Sequence, residues 1–358
     1  MGDFNNDGKL DLAVASMRCD PAKDPRESCQ EYTTAGQVSI LIGDGTGKFE
    51  EFIESELRRS PFAVAESPSS IAVGDLDGDG NQDFVTTHPT VDKVTVRQGN
   101  GKVDFYREKS FLVGRGKAPS EAVIADLNGD GIEDLATANT VGDSVSILLG
   151  KLGREIRRGV PTKRWEADLS AEFKVGNGPQ AIAVGDLNRD GNPDLATANA
   201  DRDETVSILL GDGAGEFAVV HIPLGEGAKG LAIGDLNGDR VPDLIATHPG
   251  SDTLSILFGQ GDGSFSAPRR FPGGVDPTDV AVADLDGDGD QDIAVISGSR
   301  SSLSILLNDG GGEFTLAESY PVGKVPQAIA VGDFNRDGKP DIAVANQGSN
   351  DVTVLLSG

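Results

Sequence analysis

Seven short segments of this chain carry oxygen-bearing side chains at one fixed spacing. Each has Asp at position 1, Asp or Asn at position 3, Asp at position 5 and Asp at position 9. Such a set in a tight loop suits a hard cation that takes six to eight oxygens at about 2.3–2.6 Å, which indicates Ca²⁺. The predicted side-chain ligands are Asp3, Asn5, Asp7 and Asp11; Asp75, Asp77, Asp79 and Asp83; Asp126, Asn128, Asp130 and Asp134; Asp186, Asn188, Asp190 and Asp194; Asp235, Asn237, Asp239 and Asp243; Asp284, Asp286, Asp288 and Asp292; and Asp333, Asn335, Asp337 and Asp341.

Position 7 of these segments has no preferred side chain, as expected where only a backbone carbonyl binds the metal. The predicted carbonyl ligands are Lys9, Asn81, Ile132, Asn192, Val241, Asp290 and Lys339. Up to seven Ca²⁺ ions are therefore expected. A solvated Asp-Gly turn would explain one such segment, but seven in register favour metal binding.

Position 6 is Gly in six segments, as a sharp turn with positive φ requires. The fifth segment has Arg240 there instead. A non-Gly residue in a left-handed turn costs about 1–2 kcal/mol, so we expect this site to be the weakest or to adopt a different turn.

The segments that flank each loop are short and β-prone, such as Ile71 to Gly74 before the second loop and Leu195 to Ala198 after the fourth. An EF-hand would need a bidentate Glu at position 12 and flanking helices. Position 12 is Val, Thr or Ala in every copy. The loops are therefore expected in β-hairpins.

The later copies recur every 49 residues, which is the size of a propeller blade. The fourth copy predicts four strands, at 181–184, 195–198, 206–210 and 217–222. The first two should be buried on both faces, whereas the third should alternate. We predict an all-β, seven-bladed β-propeller that forms a single domain over residues 1–358, with a calcium-binding hairpin loop in each blade. Only 26 of 28 strands are expected, which suggests a fragment of a larger multidomain protein; a six-bladed ring with a spare partial blade is the alternative.

The phrase Ala330-Val331-Gly332-Asp333-Phe334-Asn335-Arg336-Asp337-Gly338 resembles the FG-GAP repeats of integrin α-subunit propellers, and more closely those of their bacterial relatives. The resemblance covers nearly the whole chain. It implies calcium loops between the first and second strands of each blade, on the lower face, and ligand contacts on the opposite face. The chain lacks integrin's leg domains and a clear Gly-Ala-Pro signature, so integrin-type partners are not implied.

Metal binding would explain part of the net charge of −27, because seven Ca²⁺ ions would bring the total to about −13. Nucleic acid is an improbable ligand for such a surface. No apolar run of transmembrane length and no signal peptide is present, so direct membrane insertion is not expected. Loops of weak affinity are useful where calcium is about millimolar, which predicts an extracellular location, secreted or at the cell surface.

Cys19 and Cys29 both lie in an insertion from about Met17 to Gly36. Their spacing in one polar loop favours a disulfide, with two free thiols as the alternative. A zinc site is disfavoured because the chain has only three histidines. A second insertion, about Lys151 to Ala171, carries several basic residues and Trp165, and could be a contact site or a solvated hairpin extension.

Five polar residues follow the second strands of their blades and could line a ligand pocket on the face opposite calcium. They are His88, Asn139, Asn199, His248 and Asn346. The alternative is that they terminate strands, because Pro follows both histidines, and His or Asn tolerates a turn.

No motif pairs a nucleophile with a base, so the chain is not expected to be an enzyme. We predict an extracellular, calcium-binding β-propeller that acts as a binding or adhesion module for a protein or carbohydrate ligand. A lectin, a polysaccharide lyase on the same scaffold and a bare scaffold within a larger protein are alternatives, since many functions share one fold.

Overall fold

The computed structural model describes residues 1–17, 36–52, 62–105, 108–157, 160–201 and 203–357. The chain divides into two compact units, Met1–Glu172 and Phe173–Gly358. Cys19 and Cys29 lie outside the described residues, so the predicted disulfide stays a prediction, as does the single domain. Within the described ranges, no helix has the length and apolar character that a membrane span requires.

The first unit contains three antiparallel sheets. A short 3-10 helix, Pro89–Val91, follows the second strand of the second sheet. In chain order the strands are β1 (Leu12–Met17), β2 (Gly36–Gly43), β3 (Phe49–Glu51) and β4 (Phe62–Val64); β5 (Ile71–Gly74), β6 (Asp83–His88), β7 (Lys93–Arg97) and β8 (Lys109–Leu112); and β9 (Pro119–Ala125), β10 (Asp134–Asn139), β11 (Ser144–Arg157) and β12 (Val160–Lys174).

The second unit, with the end of β12, contains four further antiparallel sheets. Their strands are β13 (Pro179–Gly185), β14 (Asp194–Asn199), β15 (Thr205–Gly211) and β16 (Phe217–Pro223); β17 (Leu231–Gly234), β18 (Asp243–His248), β19 (Thr253–Leu257) and β20 (Arg269–Pro272); β21 (Pro277–Ala283), β22 (Asp292–Ser297), β23 (Ser302–Asn308) and β24 (Phe314–Pro321); and β25 (Pro326–Gly332), β26 (Asp341–Asn346) and β27 (Asp351–Leu355).

In six of the sheets consecutive strands are neighbours, whereas in the first sheet β3 and β4 both pair with β2. Seven such sheets confirm the predicted all-β, seven-bladed β-propeller class. The four strands predicted for the fourth repeat all form, and each begins or ends within two residues of its predicted bounds. The first sheet has no strand before its loop, only a bridge between Gly2 and Asp11, and the seventh sheet has three strands, as expected.

The second strands are the buried centre of each sheet. All six residues of β6, β10, β14, β18 and β22 are buried. The prediction that third strands alternate was wrong for β15, where only Leu210 is not fully buried. Ser207 fits this interior because its hydroxyl bonds Asn199 and His221, so a polar residue there does not mark a solvent face.

The second insertion is a hairpin extension, which was one of its two predicted forms. It lengthens β11 and β12 to 14 and 15 residues. Trp165 is not an exposed contact residue, because it is only 1% exposed. Its ring meets that of Phe111 edge to face at 5.4 Å, and its Nε1 donates to the Glu133 carbonyl oxygen at 2.7 Å. The burial of Trp165 therefore favours the hairpin extension over the contact site.

Candidate metal sites

Each acidic loop joins the first and second strands of a sheet, except the first loop, which has only a bridge before it. In the fourth repeat, β13 ends at Gly185 and β14 begins at Asp194, so positions 1 to 8 form the loop and position 9 opens the second strand. The same holds for the other complete sheets. The predicted β-hairpin setting is thus confirmed, and among the residues that the structure describes no helix flanks any of the seven loops.

In each loop, carboxylate oxygens accept hydrogen bonds from backbone amides later in the same loop. In the fourth loop, Asp186 Oδ1 accepts from the Asp190 amide and Oδ2 from the Gly191 amide, both at 3.0 Å. Asp190 Oδ1 accepts from the Asn192 amide at 2.8 Å. These bonds draw the oxygen-bearing side chains toward the inside of the turn, which is the arrangement that a cation needs.

Two positions of the loop have left-handed backbone. Position 6 has positive φ throughout, and Arg240 adopts φ 64° with the same amide bond to Asp235 that glycine makes elsewhere. The fifth loop therefore keeps the common turn, and its expected weakness stays a prediction. Position 4 also has positive φ in all seven loops. The sequence reasoning missed this, although position 4 is glycine in four of the loops. In the other three it is Asn6, Arg189 and Arg336.

Position 9 has a role that its spacing did not reveal. Its carboxylate is fully buried in all seven sheets. In the fourth sheet, Asp194 Oδ2 accepts from the Leu187 amide of the loop at 2.8 Å, and Oδ1 accepts from the Gly211 amide at the end of the third strand at 2.7 Å. The same pair of bonds occurs in every sheet. We call this pair of bonds the carboxylate latch; it ties the loop to the third strand.

Among the described residues, carboxylates converge in two of the seven loops. Oxygens of Asp75, Asp77 and Asp83 lie within 4.8 Å of one another, and so do those of Asp284, Asp286 and Asp292. Ligand oxygens on opposite sides of Ca²⁺ are about 4.6–5.2 Å apart, so both clusters have the right span. These are the two loops with Asp rather than Asn at position 3.

The second loop also contains an unsatisfied carboxylate oxygen. Asp77 is 3% exposed; its Oδ2 accepts from Gln98, while its Oδ1 has no hydrogen-bond partner. Burial, and then the charges of Asp79 and Asp75, raise the pKa of Asp77 to about 6. Burial is also the main cause that raises the pKa of Asp83 to about 8. A buried, repelling carboxylate cluster of this kind is what a cation would neutralise, so the residues fit Ca²⁺.

In the other five loops, side-chain polar groups form more hydrogen bonds or ion pairs with one another. In the third, fourth, fifth and seventh loops, the Asn amide at position 3 donates to the Asp at position 5, as between Asn188 and Asp190 at 2.9 Å. In the first loop, Lys9 pairs with Asp7 at 3.1 Å. Calcium binding by these five loops stays a prediction.

The five polar residues at the ends of second strands are buried: His88, Asn139, Asn199 and His248 are 0% exposed, and Asn346 is 3% exposed. They bond neighbouring Ser and Thr hydroxyls, as Asn139 Nδ2 bonds Ser146 at 2.8 Å. His248 Nε2 lies 2.8 Å from Ser255 Oγ, and its Nδ1 lies 3.0 Å from the Gly227 carbonyl oxygen. This burial contradicts a pocket-lining role and favours the strand-end alternative, so no ligand contact is proposed for these residues.

The two buried histidines should make stability sensitive to acid. Burial lowers the pKa of His88 and of His248. Below the unfolded pKa of about 6.5 the unfolded chain binds more protons, so stability falls with falling pH by at most about 1.4 kcal/mol per pH unit for each histidine. In urea unfolding at constant excess calcium, a variant with His88→Asn and His248→Asn should lose less stability between pH 7 and 5 than the natural chain.

His221→Asn is the matched control for the loss of a histidine, since His221 is exposed. Equal slopes for the double variant and the natural chain would contradict a buried, neutral state of the two histidines.

The comparisons with known proteins agree with this architecture. The sequence matches the FG-GAP-like repeat family over residues 3–86, 75–137, 186–246, 235–295 and 287–344. No curated protein of similar sequence was found.

Solved structures resemble the fold at low identity. The periplasmic gluconolactonase PpgL of Pseudomonas aeruginosa is 14% identical, with TM-score 0.61 over 99% of this chain and 87% of that one. BBS1N in a crystal with ARL6DN is 13% identical, with TM-score 0.57 over 89% and 88%. A Lactobacillus plantarum protein is 13% identical, with TM-score 0.60 over 82% and 81%. At such identities the likeness concerns the fold alone. The repeated acidic hairpins and the family match over most of the sequence together establish that this chain belongs to the FG-GAP-like repeat family.

Proposed function

We propose that this chain is an extracellular binding or adhesion module whose blades are stabilised by Ca²⁺. The observation that carries the proposal is the pair of converging carboxylate clusters in the second and sixth loops, one of which holds the unpartnered Asp77 Oδ1. In the second loop the ion would be held by Asp75, Asp77 and Asp83, with the other positions of the loop as further ligands. Ca²⁺ supplies charge neutralisation and cross-linking of the loop, with no catalytic chemistry required.

The ligand is proposed to be a protein or a carbohydrate that contacts the ends of the sheets away from the acidic loops. A second strand of six residues spans about 17 Å, so its far end is well separated from the metal loop. The loops there differ between repeats, as in Glu66 to Pro68, Gly114 to Lys117 and Gly225 to Gly227. Variable loops on a rigid scaffold are where binding residues usually lie. The carboxylates that would bind calcium do not lie on the far side of the sheets.

Calcium titration by calorimetry tests the metal part of the proposal. The natural chain should bind Ca²⁺ in the range of 0.01–1 mM, as expected of extracellular modules and weaker sensors. Asp286→Asn removes one charge from the sixth loop and should weaken one site about tenfold. Asp309→Asn is the matched control, because Asp309 is an exposed residue of a neighbouring turn whose Oδ1 accepts from the Gly311 amide.

An absence of calcium binding up to 5 mM, or equal affinities for the Asp286→Asn variant and the natural chain, would contradict the metal assignment. The ligand part is tested separately, on glycan and protein arrays that are probed with 1 mM calcium or with EGTA. Binding that requires calcium is expected, and retention of binding in EGTA would contradict a calcium-dependent module.

A further inference from the structure

The hairpin extension of the third sheet reaches the second acidic loop. Within the extension, successive side chains of β12 point to opposite faces of the strand. Trp165 and Ala167 are buried on one face. On the other face, Arg164 pairs with Glu166 at 3.7 Å. Lys163 shares the face of Trp165, so the buried tryptophan directs the lysine toward the neighbouring second sheet.

The ammonium group of Lys163 lies beside the backbone of the second loop. Its Nζ is 3.4 Å from the Asp77 carbonyl oxygen and 3.5 Å from the Gly78 carbonyl oxygen. These two residues occupy positions 3 and 4 of the loop, between Asp75 and Asp79. The extension therefore brings a positive charge of the chain itself to a loop that has four carboxylates.

A second contact joins the extension to the same loop. Gln98 is 7% exposed; its Oε1 accepts from the Trp165 amide at 3.3 Å, and its Nε2 donates to Asp77 Oδ2. This glutamine comes directly before the third-strand amide of the carboxylate latch, a place that is Ile, Leu or Phe in the other six sheets. Gln98 thus holds position 3 of the loop against the extension, beside Lys163.

The charge of Lys163 bears on any cation that the loop binds. Asp77 Oδ1 has no hydrogen-bond partner, and this carboxylate converges with those of Asp75 and Asp83. A cation bound there shares the negative potential of the loop with the ammonium group, and the two positive charges repel each other. Lys163 is exposed, so water and salt screen this repulsion in part.

We propose that Lys163 sets the calcium affinity of the second loop, as a resident cation that weakens binding of the metal ion. The loop then gains and loses its ion at a higher calcium concentration than it would without the hairpin extension. This inference rests on the proposed calcium site in the second loop, and the two can fail separately.

Trp165, the only tryptophan of the chain, makes the second loop observable. Tb³⁺ takes the same oxygen ligands as Ca²⁺ and emits when a tryptophan close to it is excited. Because Trp165 also bonds the Glu133 carbonyl oxygen of the third loop, the emission that Asp79→Ala removes is the part assigned to the second loop. Asp79 is exposed, so this variant should fold, and an unaltered melting temperature in EGTA checks it.

Lys163→Gln should tighten Tb³⁺ binding in the second loop about fivefold at low salt, and less in about 0.5 M salt. Displacement of Tb³⁺ by Ca²⁺ then gives the calcium affinity of the same site, which should also rise. Lys163→Arg keeps the charge and should bind as the natural chain does. Arg164→Gln is the matched control, because it removes a charge from the adjacent residue, whose side chain lies on the other face.

Equal affinities of Lys163→Gln and the natural chain, for emission that Asp79→Ala removes, would overturn this inference and leave the metal site standing. So would an equal gain in Arg164→Gln, because the effect would then come from overall charge. If Asp79→Ala removes no emission, the second loop binds no ion, and the metal site fails together with the inference.

Discussion

Removal of calcium with excess EGTA is expected to lower the melting temperature by about 4 °C if two loops bind the ion and by about 13 °C if all seven do. A site with a Kd of roughly 0.1 mM at about 1 mM free ion contributes about 1.4 kcal/mol, so seven give on the order of 10 kcal/mol. Dividing this free energy by the unfolding entropy of 358 residues, at about 2.1 cal/mol/K per residue, gives the larger shift in melting temperature. Differential scanning calorimetry measures it.

The size of this shift therefore reports how many loops are occupied. Restoring calcium should restore the melting temperature, whereas the same concentration of Mg²⁺ should restore little, because that ion demands near-ideal octahedral geometry. An identical melting curve in calcium and in EGTA would rule out calcium as a stabilising ligand.

Asp194→Ala is expected to lower the free energy of unfolding by about 3–5 kcal/mol, even in EGTA. The carboxylate is fully buried and accepts two backbone amides, and a hydrogen bond to a charged group contributes about 1.5–3 kcal/mol. Its removal leaves both amides buried without an acceptor. Urea unfolding in EGTA measures the loss, and Asp194→Asn, which keeps one acceptor, should lose less.

Asp190→Ala in the same loop is the matched comparison. Asp190 is exposed, so in EGTA its loss should cost about 1 kcal/mol or less, while in calcium the cost should grow. Equal effects of the two alanine variants in EGTA would mean that the latch adds nothing beyond metal binding.

The parts of this structure that sequence reasoning predicted depend on residues close together in the chain. The spacing from Asp186 to Asp194 defines a nine-residue segment whose first eight residues form the loop, and the β-prone runs on both sides define its hairpin. These are local properties, and the repeat presents them seven times. The fold class follows from the same repetition, since a unit of this length with four short strands has few ways to bury its faces.

The parts that were missed depend on neighbours that are distant in sequence. Asp194 meets the Gly211 amide 17 residues away, and Trp165 meets Glu133 at a separation of 32. His248 and Asn199 look like surface residues by type, yet third-strand hydroxyls and loop backbone groups satisfy them in the interior. Only the packed sheet shows which polar residues have internal partners, because hydrogen-bonded polar groups can be buried at little cost.

The carboxylate latch also has a consequence for the speed of calcium exchange. Because the position-9 carboxylate ties the loop to the third strand through two backbone amides, the position of the loop does not depend on metal ligands alone. Association should then approach the diffusional limit, and differences in affinity between the seven loops should appear almost entirely as differences in ion residence time. A protein built this way would follow changes in calcium concentration within milliseconds rather than waiting for a slow rearrangement of its blades.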